Sequence, residues 1–249
     1  MFENKIAVVT GGANGIGRAC AVMLAMRGAR VAAVDRDWSD GDDRFEEADQ
    51  ASGSILRVDA DCGKPAEVQA AFEFIRQRLG DPEILVANAG GSDRGIVGTT
   101  ESSPVESWQR MLDDNFMSAA LCSREVIPAM RRRQEGRIIH ITTQAAVHGW
   151  HKNTPYVAAK GAQAMLAFTM AKELAHDRIT VNIVAPGAVM TRALRQLPPD
   201  YVRAAAESCP MQRIATPEEI AEIVMFFAGP HAGYVTGQQL VADGGLVIG

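Results

Sequence analysis

An apolar run that breaks straight into glycines constrains this chain more than any other feature. Lys5-Ile-Ala-Val-Val-Thr10 reads as a short buried strand. Gly11-Gly12-Ala13-Asn14-Gly15-Ile16-Gly17 follows with no spacer and leads into helical periodicity over Ile16–Arg27. Glycines let the backbone turn tightly and let its N–H groups approach an anion with no Cβ in the way. The helix N-terminus adds unsatisfied donors and the positive end of the dipole. Strand, glycine turn and helix in that order predict a cradle for a pyrophosphate.

The next apolar run, Arg30–Asp35, ends on a carboxylate. At that place a carboxylate accepts hydrogen bonds from both hydroxyls of an adenosine ribose and repels a 2′-phosphate. Asp35, with Asn14 rather than a basic residue before Gly15, predicts NAD over NADP. Arg36 is the complication, because a guanidinium next door can serve a 2′-phosphate. Asp59, followed by Ala60, is either an acceptor for the adenine amino group or a surface or capping aspartate.

Short apolar runs go on alternating with longer amphipathic ones, the pattern of βαβ repetition. Strand candidates are Lys5–Thr10, Arg30–Asp35, Ser54–Val58, Glu83–Ala87, Gly136–Thr142, Ile179–Val184 and Gln238–Val241. Helical periodicity covers Ile16–Arg27, Pro65–Leu79, Val105–Arg133, Pro155–Ala175 and Pro217–Ala228. The acidic stretch Asp37–Gln50 reads as a short helix. The expected fold is α/β: a single-domain Rossmann fold over 1–249, its doubly wound parallel sheet of about seven strands covered by helices on both faces. Residues 188–216 break the alternation just after a strand's carboxyl end and are expected to bind substrate.

Bulk properties narrow the partners. Hydrophobic content of 47% and charged content of 22% suit a globular protein with a large core. A net charge of −5 argues against nucleic acid. Arg131-Arg132-Arg133 sits at a helix end, where cations suit the dipole. The four cysteines lack zinc spacing, and no histidine has an i, i+4 partner, so no metal site is expected. Met1-Phe-Glu-Asn-Lys5 is unlike a signal peptide, and no apolar run approaches the ~20 residues of a membrane helix. A cytoplasmic protein with no membrane or nucleic-acid partner is expected.

Tyr156 and Lys160 lie four residues apart, on one face of a helix. A phenol titrates near pKa 10, too high for an efficient base at neutral pH, and a nearby ammonium lowers that value. Thr10-Gly-x-x-x-Gly15-x-Gly17, Asn88-Ala89-Gly90, Asn115, Tyr156-x-x-x-Lys160, Asn182, Pro186-Gly187 and Asp243-Gly-Gly245 fall in one order along nearly the whole chain. In these motifs the chain resembles the short-chain dehydrogenase/reductase family. The resemblance implies hydride transfer between NAD(H) and a secondary alcohol/ketone pair, the small-molecule partner. It casts Tyr156 as the proton carrier, Lys160 as its tuner and a ligand of the nicotinamide ribose, and Asn115 as holder of a relay water. Asn88, Ala89 and Gly90 would flank the cofactor, as would Pro186, Gly187 and Val189, with Thr191 on the nicotinamide carboxamide. A homotetramer is the implied assembly. A 3-oxoacyl-thioester reductase, a cyclic-diol or polyol dehydrogenase, and a noncatalytic NAD(H)-binding sensor stay open.

One position departs from the family. Thr143 stands where a serine is usual, thirteen residues before the tyrosine. It keeps the hydroxyl that polarises the substrate oxygen, but its methyl stiffens χ1 and narrows the pocket. Gln144, Ala145, His148, Trp150 and Arg94 are expected around the substrate. His148, Trp150 and His151 either meet a polar or acidic substrate or form an exposed loop or subunit contact. Arg94, Arg192 and Arg195 could bind a carboxylate or phosphate, although each taken alone reads as a solvated surface arginine.

Overall fold

The computed structural model describes residues 1–39, 55–92 and 98–247. Strands β1 (Ile6–Thr10), β2 (Arg30–Asp35), β3 (Ile55–Asp59), β4 (Ile84–Ala87), β5 (Gly136–Ile141), β6 (Ile179–Pro186) and β7 (Gln239–Ala242) form one sheet. Their order is β3-β2-β1-β4-β5-β6-β7, with every neighbouring pair parallel. A parallel sheet covered on both faces wants continuous apolar strands, and β1 is buried at every position.

Helices α1 (Gly15–Met26), α2 (Pro65–Arg78), α3 (Val105–Met111), α4 (Ser118–Arg133), α5 (Ala145–His148), α6 (Thr154–Leu174), α7 (Arg192–Arg195), α8 (Pro199–Ser208) and α9 (Pro217–Ala228) connect the strands. Strand side chains alternate between the two faces. On one face Val8, Leu85 and Val181 pack with Phe72, Ile75, Val126, Met130 and Leu174 of α2, α4 and α6. On the other, Ala7, Val9 and Val86 pack with Leu24 of α1 and Ile220 and Val224 of α9. A fully buried leucine or isoleucine in either layer contributes about 1.5–3 kcal/mol of transfer free energy. The chain winds outward from β1 to β3, then returns to β4 on the other side of β1. That reversal opens a crevice at the carboxyl ends of β1 and β4.

Three sequence expectations change. Val105–Arg133 is not one helix: a wider π-type turn over Leu112–Met117 separates α3 from α4. The 188–216 segment is not irregular throughout, since it folds the helices α7 and α8. Of the Asp37–Gln50 helix, Asp37–Ser39 is not helical and the rest lies outside the described residues. Among the described residues, no helix is long and apolar enough to cross a membrane.

Candidate active site

A cleft of about 730 Å³ opens at the crevice between β1 and β4. Gly11, Asn14, Gly15 and Ile16 form its floor where β1 passes into α1. Gly11 has φ +63° and Gly15 φ +56°, a region that suits glycine. Gly17 is one step behind the floor, and a Cβ there would strike the Gly11 carbonyl. The Asn14 cap leaves the helix N–H groups without a side-chain acceptor, and the first turn of α1 carries no acidic residue. Donors and dipole therefore face the cleft unopposed, which suits an anionic pyrophosphate. Asn88 locks the turn by donating from Nδ2 to the Thr10 and Gly11 carbonyls at 3.0 and 3.1 Å. Thr10 Oγ1 in turn accepts from the Asn88 and Ala89 N–H groups.

Asp35 lines the far end of this cleft. Its two oxygens each accept one backbone N–H, from Ala13 at 3.0 Å and from Asp37 at 3.1 Å. A carboxylate has about four lone-pair sites, so both oxygens keep acceptor capacity for ribose hydroxyls. Arg36, also on the wall, is held by Asp114 at 2.9 Å and Asp61 at 3.3 Å. Ala60 lines the cleft, but Asp59 is exposed at the end of β3 and does not; the carboxylate that follows β3 onto the wall is Asp61.

The inner end of the cleft gathers the chemistry. Thr142, Thr143, Tyr156 and Lys160 line it with Gly90, Pro186, Gly187, Val189 and Thr191. Burial pushes the Tyr156 phenol up to about 12, and the Thr143 hydroxyl acts against that rise by hydrogen bonding to it. Burial brings the Lys160 ammonium down to about 7. Lys160 Nζ donates to the Ile141 carbonyl at 2.8 Å and to Gln163 Oε1 at 2.9 Å. Asn115 sits buried in the π-type turn. Its Nδ2 donates to the Met111 and Gly91 carbonyls, while Oδ1 is buried with no hydrogen-bond partner. A buried acceptor of that kind is costly unless something donates to it. Gly90 is required beside it, because a Cβ there would strike Asn115 Oδ1.

A second cleft, of about 850 Å³, lies on the outer side of the same wall. Thr143, Tyr156, Gly187, Val189 and Thr191 line both clefts. Leu194, Leu197 and Tyr201 come from the α7–α8 segment, Met211 follows it, and Ile220 and Ile223 come from α9. Its charged groups are already engaged. Arg213 makes two hydrogen bonds to Glu219, and Asp243 accepts from the Gly245 and Val247 N–H groups.

A comparison with known families finds a match over residues 11–247 to the family model described as enoyl-(acyl carrier protein) reductase. The chain belongs to the short-chain dehydrogenase/reductase family. It is 34% identical over 245 residues to the 3-oxoacyl-(acyl-carrier-protein) reductase FabG of Escherichia coli, covering 98% of each chain. The protein of the same name from Thermotoga maritima is 31% identical over 247 residues, 99% of each chain. A 2,3-dihydroxy-2,3-dihydro-p-cumate dehydrogenase of Pseudomonas putida is 35% identical over 248 residues, covering 98% of this chain and 95% of that one. As a short-chain dehydrogenase/reductase the protein is an oxidoreductase acting on CH–OH groups, in a family that uses a nicotinamide cofactor.

Most residues picked out as short-chain dehydrogenase/reductase positions come together in the two clefts. Gln144, Ala145 and Trp150 line the outer one, Trp150 at 51% exposure. His148, His151 and Arg195 are exposed and Arg192 is half-buried; none of the four lines either cleft, so they give the outer cleft no charge. Arg94 lies outside the described residues. Buried Asn182 ties the approach to β7, donating to the Val235 carbonyl at 2.7 Å and accepting from Gln238 N–H. Sequence reading missed Asp61 and Asp114 on the cleft walls, and Gln163 and His140 behind Lys160. The signal for the last two was present: a histidine inside the apolar strand GRIIHI, and a glutamine three residues after the lysine. Among the described residues, no group of three or more His, Cys, Asp or Glu side chains could hold a metal.

Proposed function

We propose that this protein interconverts a secondary alcohol and a ketone by hydride transfer with NAD(H), and that Tyr156 is the acid/base. The observation that carries this reading is the common wall, where Thr143 and Tyr156 belong to both the cleft floored by the glycine turn and the apolar one. A substrate in the outer cleft would meet those two hydroxyls at the carbon that faces the cofactor. When bound, the nicotinamide accepts or gives the hydride. Thr143 would orient the substrate oxygen, and Tyr156 would take the hydroxyl proton in oxidation and return it in reduction. Lys160 would favour the phenolate by its charge, and Asn115 Oδ1 would accept from a relay water.

NAD is favoured over NADP by charge. Asp35, Asp61 and Asp114 surround Arg36, whose guanidinium is already spent on two of them. A 2′-phosphate would enter a region with an excess of negative charge. On the substrate side, the paired charges and apolar lining of the outer cleft favour a neutral alcohol with apolar substituents. A 3-oxoacyl group, as the FabG names state for those proteins, satisfies this, as does an uncharged cyclic diol; the 2,3-dihydroxy-2,3-dihydro-p-cumate named for the Pseudomonas relative is a cyclic diol that also carries a carboxylate. We read the chain as one domain whose 188–216 segment binds substrate, working as a cytoplasmic homotetramer without membrane or nucleic-acid partners.

The experiment is a panel of alcohols with NAD or NADP, and of ketones with the reduced forms, followed by the absorbance of the reduced nicotinamide. Turnover is expected with NAD, and Tyr156→Phe is expected to abolish it while leaving NADH binding nearly intact. Unchanged turnover in that variant removes Tyr156 as acid/base. Turnover only with NADP removes the role given to Asp35.

A further inference from the structure

Behind Lys160 lies a polar chain that the proposed mechanism does not use. Gln163, on α6, and His140, inside β5, are both fully buried. Gln163 Oε1 accepts from Lys160 Nζ at 2.9 Å. Its Nε2 donates to the Ala87 carbonyl at 3.3 Å and meets His140 Nδ1 at 3.4 Å. This amide fits only one way round, because an ammonium has only donors to offer and a carbonyl can only accept. The same orientation makes His140 Nδ1 an acceptor and leaves the ring proton on Nε2. His140 stays neutral: burial first, and the Lys160 charge second, bring its pKa down to about 3.

A buried primary amide is expensive where a leucine or methionine would fill the same space, unless its hydrogen bonds are used. Here the amide oxygen faces one cation while the amide nitrogen is held by the Ala87 carbonyl and His140 Nδ1, and His140 Nε2 is buried with no hydrogen-bond partner. Resting on the reading of Tyr156 and Lys160 as the acid/base pair, we propose that Gln163, oriented by His140, is a positioning residue that holds the Lys160 amine against the end of β5, one helical turn from Tyr156, and sustains its ammonium form.

The surroundings leave Gln163 little competition. Among the described residues, Tyr156 on the same helix and His140 on β5 are the titratable groups beside Lys160. The π-type turn packed against α6 brings Asp113 and Asp114, but Asp113 accepts from Gln109, and Asp114 accepts from Arg36. Arg110 of α3 lines the same cleft and adds positive charge. Burial opposes the Lys160 charge, and the acceptors that favour it are the Ile141 carbonyl and Gln163 Oε1. An ammonium has three N–H groups. With two directed inward, the third is left for the cleft that Lys160 lines.

The test needs no substrate. The full-length protein is pulsed with acetic anhydride across a range of pH, and acetylation of Lys160 is read by mass spectrometry, since only the unprotonated amine reacts. Gln163→Met should lower the midpoint by about one pH unit, and Gln163→Glu should raise it by at least about as much. Midpoints that match the wild type in either folded variant overturn the proposal. Should Gln163→Met fail to fold, the upward shift in Gln163→Glu decides alone. In ketone reduction, Gln163→Met should run about fivefold slower at neutral pH and recover as acid restores the ammonium. A deficit equal at every pH marks a merely structural role and also overturns it. Tyr156→Phe separates the two ideas. If that variant keeps its activity the acid/base reading falls, while the acetylation midpoints still report on Gln163 and Lys160.

Discussion

Thr143 carries one hydroxyl into two clefts, and a single methyl distinguishes it from the serine usual in this family. Removing one preorganised donor at a developing oxyanion costs about a hundredfold or more in turnover. Thr143→Ala is therefore expected to lose about that much kcat with NADH affinity preserved, whereas Thr143→Ser keeps or raises it. Equal rates for the alanine and serine variants would show that the hydroxyl is idle. His140 makes a prediction of the opposite kind, about stability. Its folded pKa of about 3 lies below the ordinary value of 6.5, so the unfolded chain binds the extra proton as pH falls between them. Stability is therefore lost on acidification through that window, and His140→Asn should flatten the loss. Urea titrations near pH 7 and pH 4 would read it; parallel falls in both proteins reject the assignment. The sequence made His148 and His151 conspicuous because they stand near Tyr156. Chain proximity says nothing about which way a side chain points, and the histidine linked to Lys160 is His140 of β5, which meets it through Gln163.

Elements whose signal is local were legible in advance. β1, its glycine turn and α1 announce themselves because turn, phosphate approach and close packing each demand glycine within one stretch. α9 spans Pro217–Ala228 as its periodicity predicts, and the structure adds a cap built from a threonine, a proline and a glutamate three positions after the threonine. Thr216 accepts from Glu219 N–H at 3.3 Å, and the Glu219 carboxylate accepts from Thr216 N–H at 2.8 Å. Thr216→Ala should cost about 1 kcal/mol of unfolding free energy, with turnover nearly unchanged. A loss below a few tenths in chemical denaturation would show that the Arg213–Glu219 pair holds the helix start by itself. The π-type turn was hidden for a physical reason. One extra residue in a helical ladder leaves the apolar periodicity on either side nearly intact, so Val105–Arg133 reads as continuous. Only the side chain of Asn115, which bonds back to the Met111 carbonyl, reveals the bulge. The same limit applied to 188–216, where prolines suggested a loop although α8 begins on Pro199, a residue well suited to a first helical position.

At the scale of the whole molecule, alternation of strands and helices predicted a doubly wound parallel sheet of about seven strands, and seven parallel strands form one sheet. The division of labour between the two clefts did not follow. Residues far apart in the chain build the outer cleft, and its apolar character depends on which charges find partners. Arginines at 192 and 195 invited a guess of an acidic substrate; the folded chain keeps both off the cleft walls. Swapping Leu197 for arginine should thus weaken apolar ketones and leave NADH binding alone, which a comparison of KM with NADH affinity would check. An unchanged KM across the ketone panel would remove the outer cleft from substrate recognition.

The wall common to both clefts has a consequence for time as well as place. A chamber completed by its neighbour's occupant cannot be filled properly until that occupant has arrived. Nucleotide should therefore enter first and depart last, so that the alcohol never waits alone. NADH added as a product should then compete with NAD and act noncompetitively toward the alcohol. Competition by NADH against both would mean that the two doors open independently.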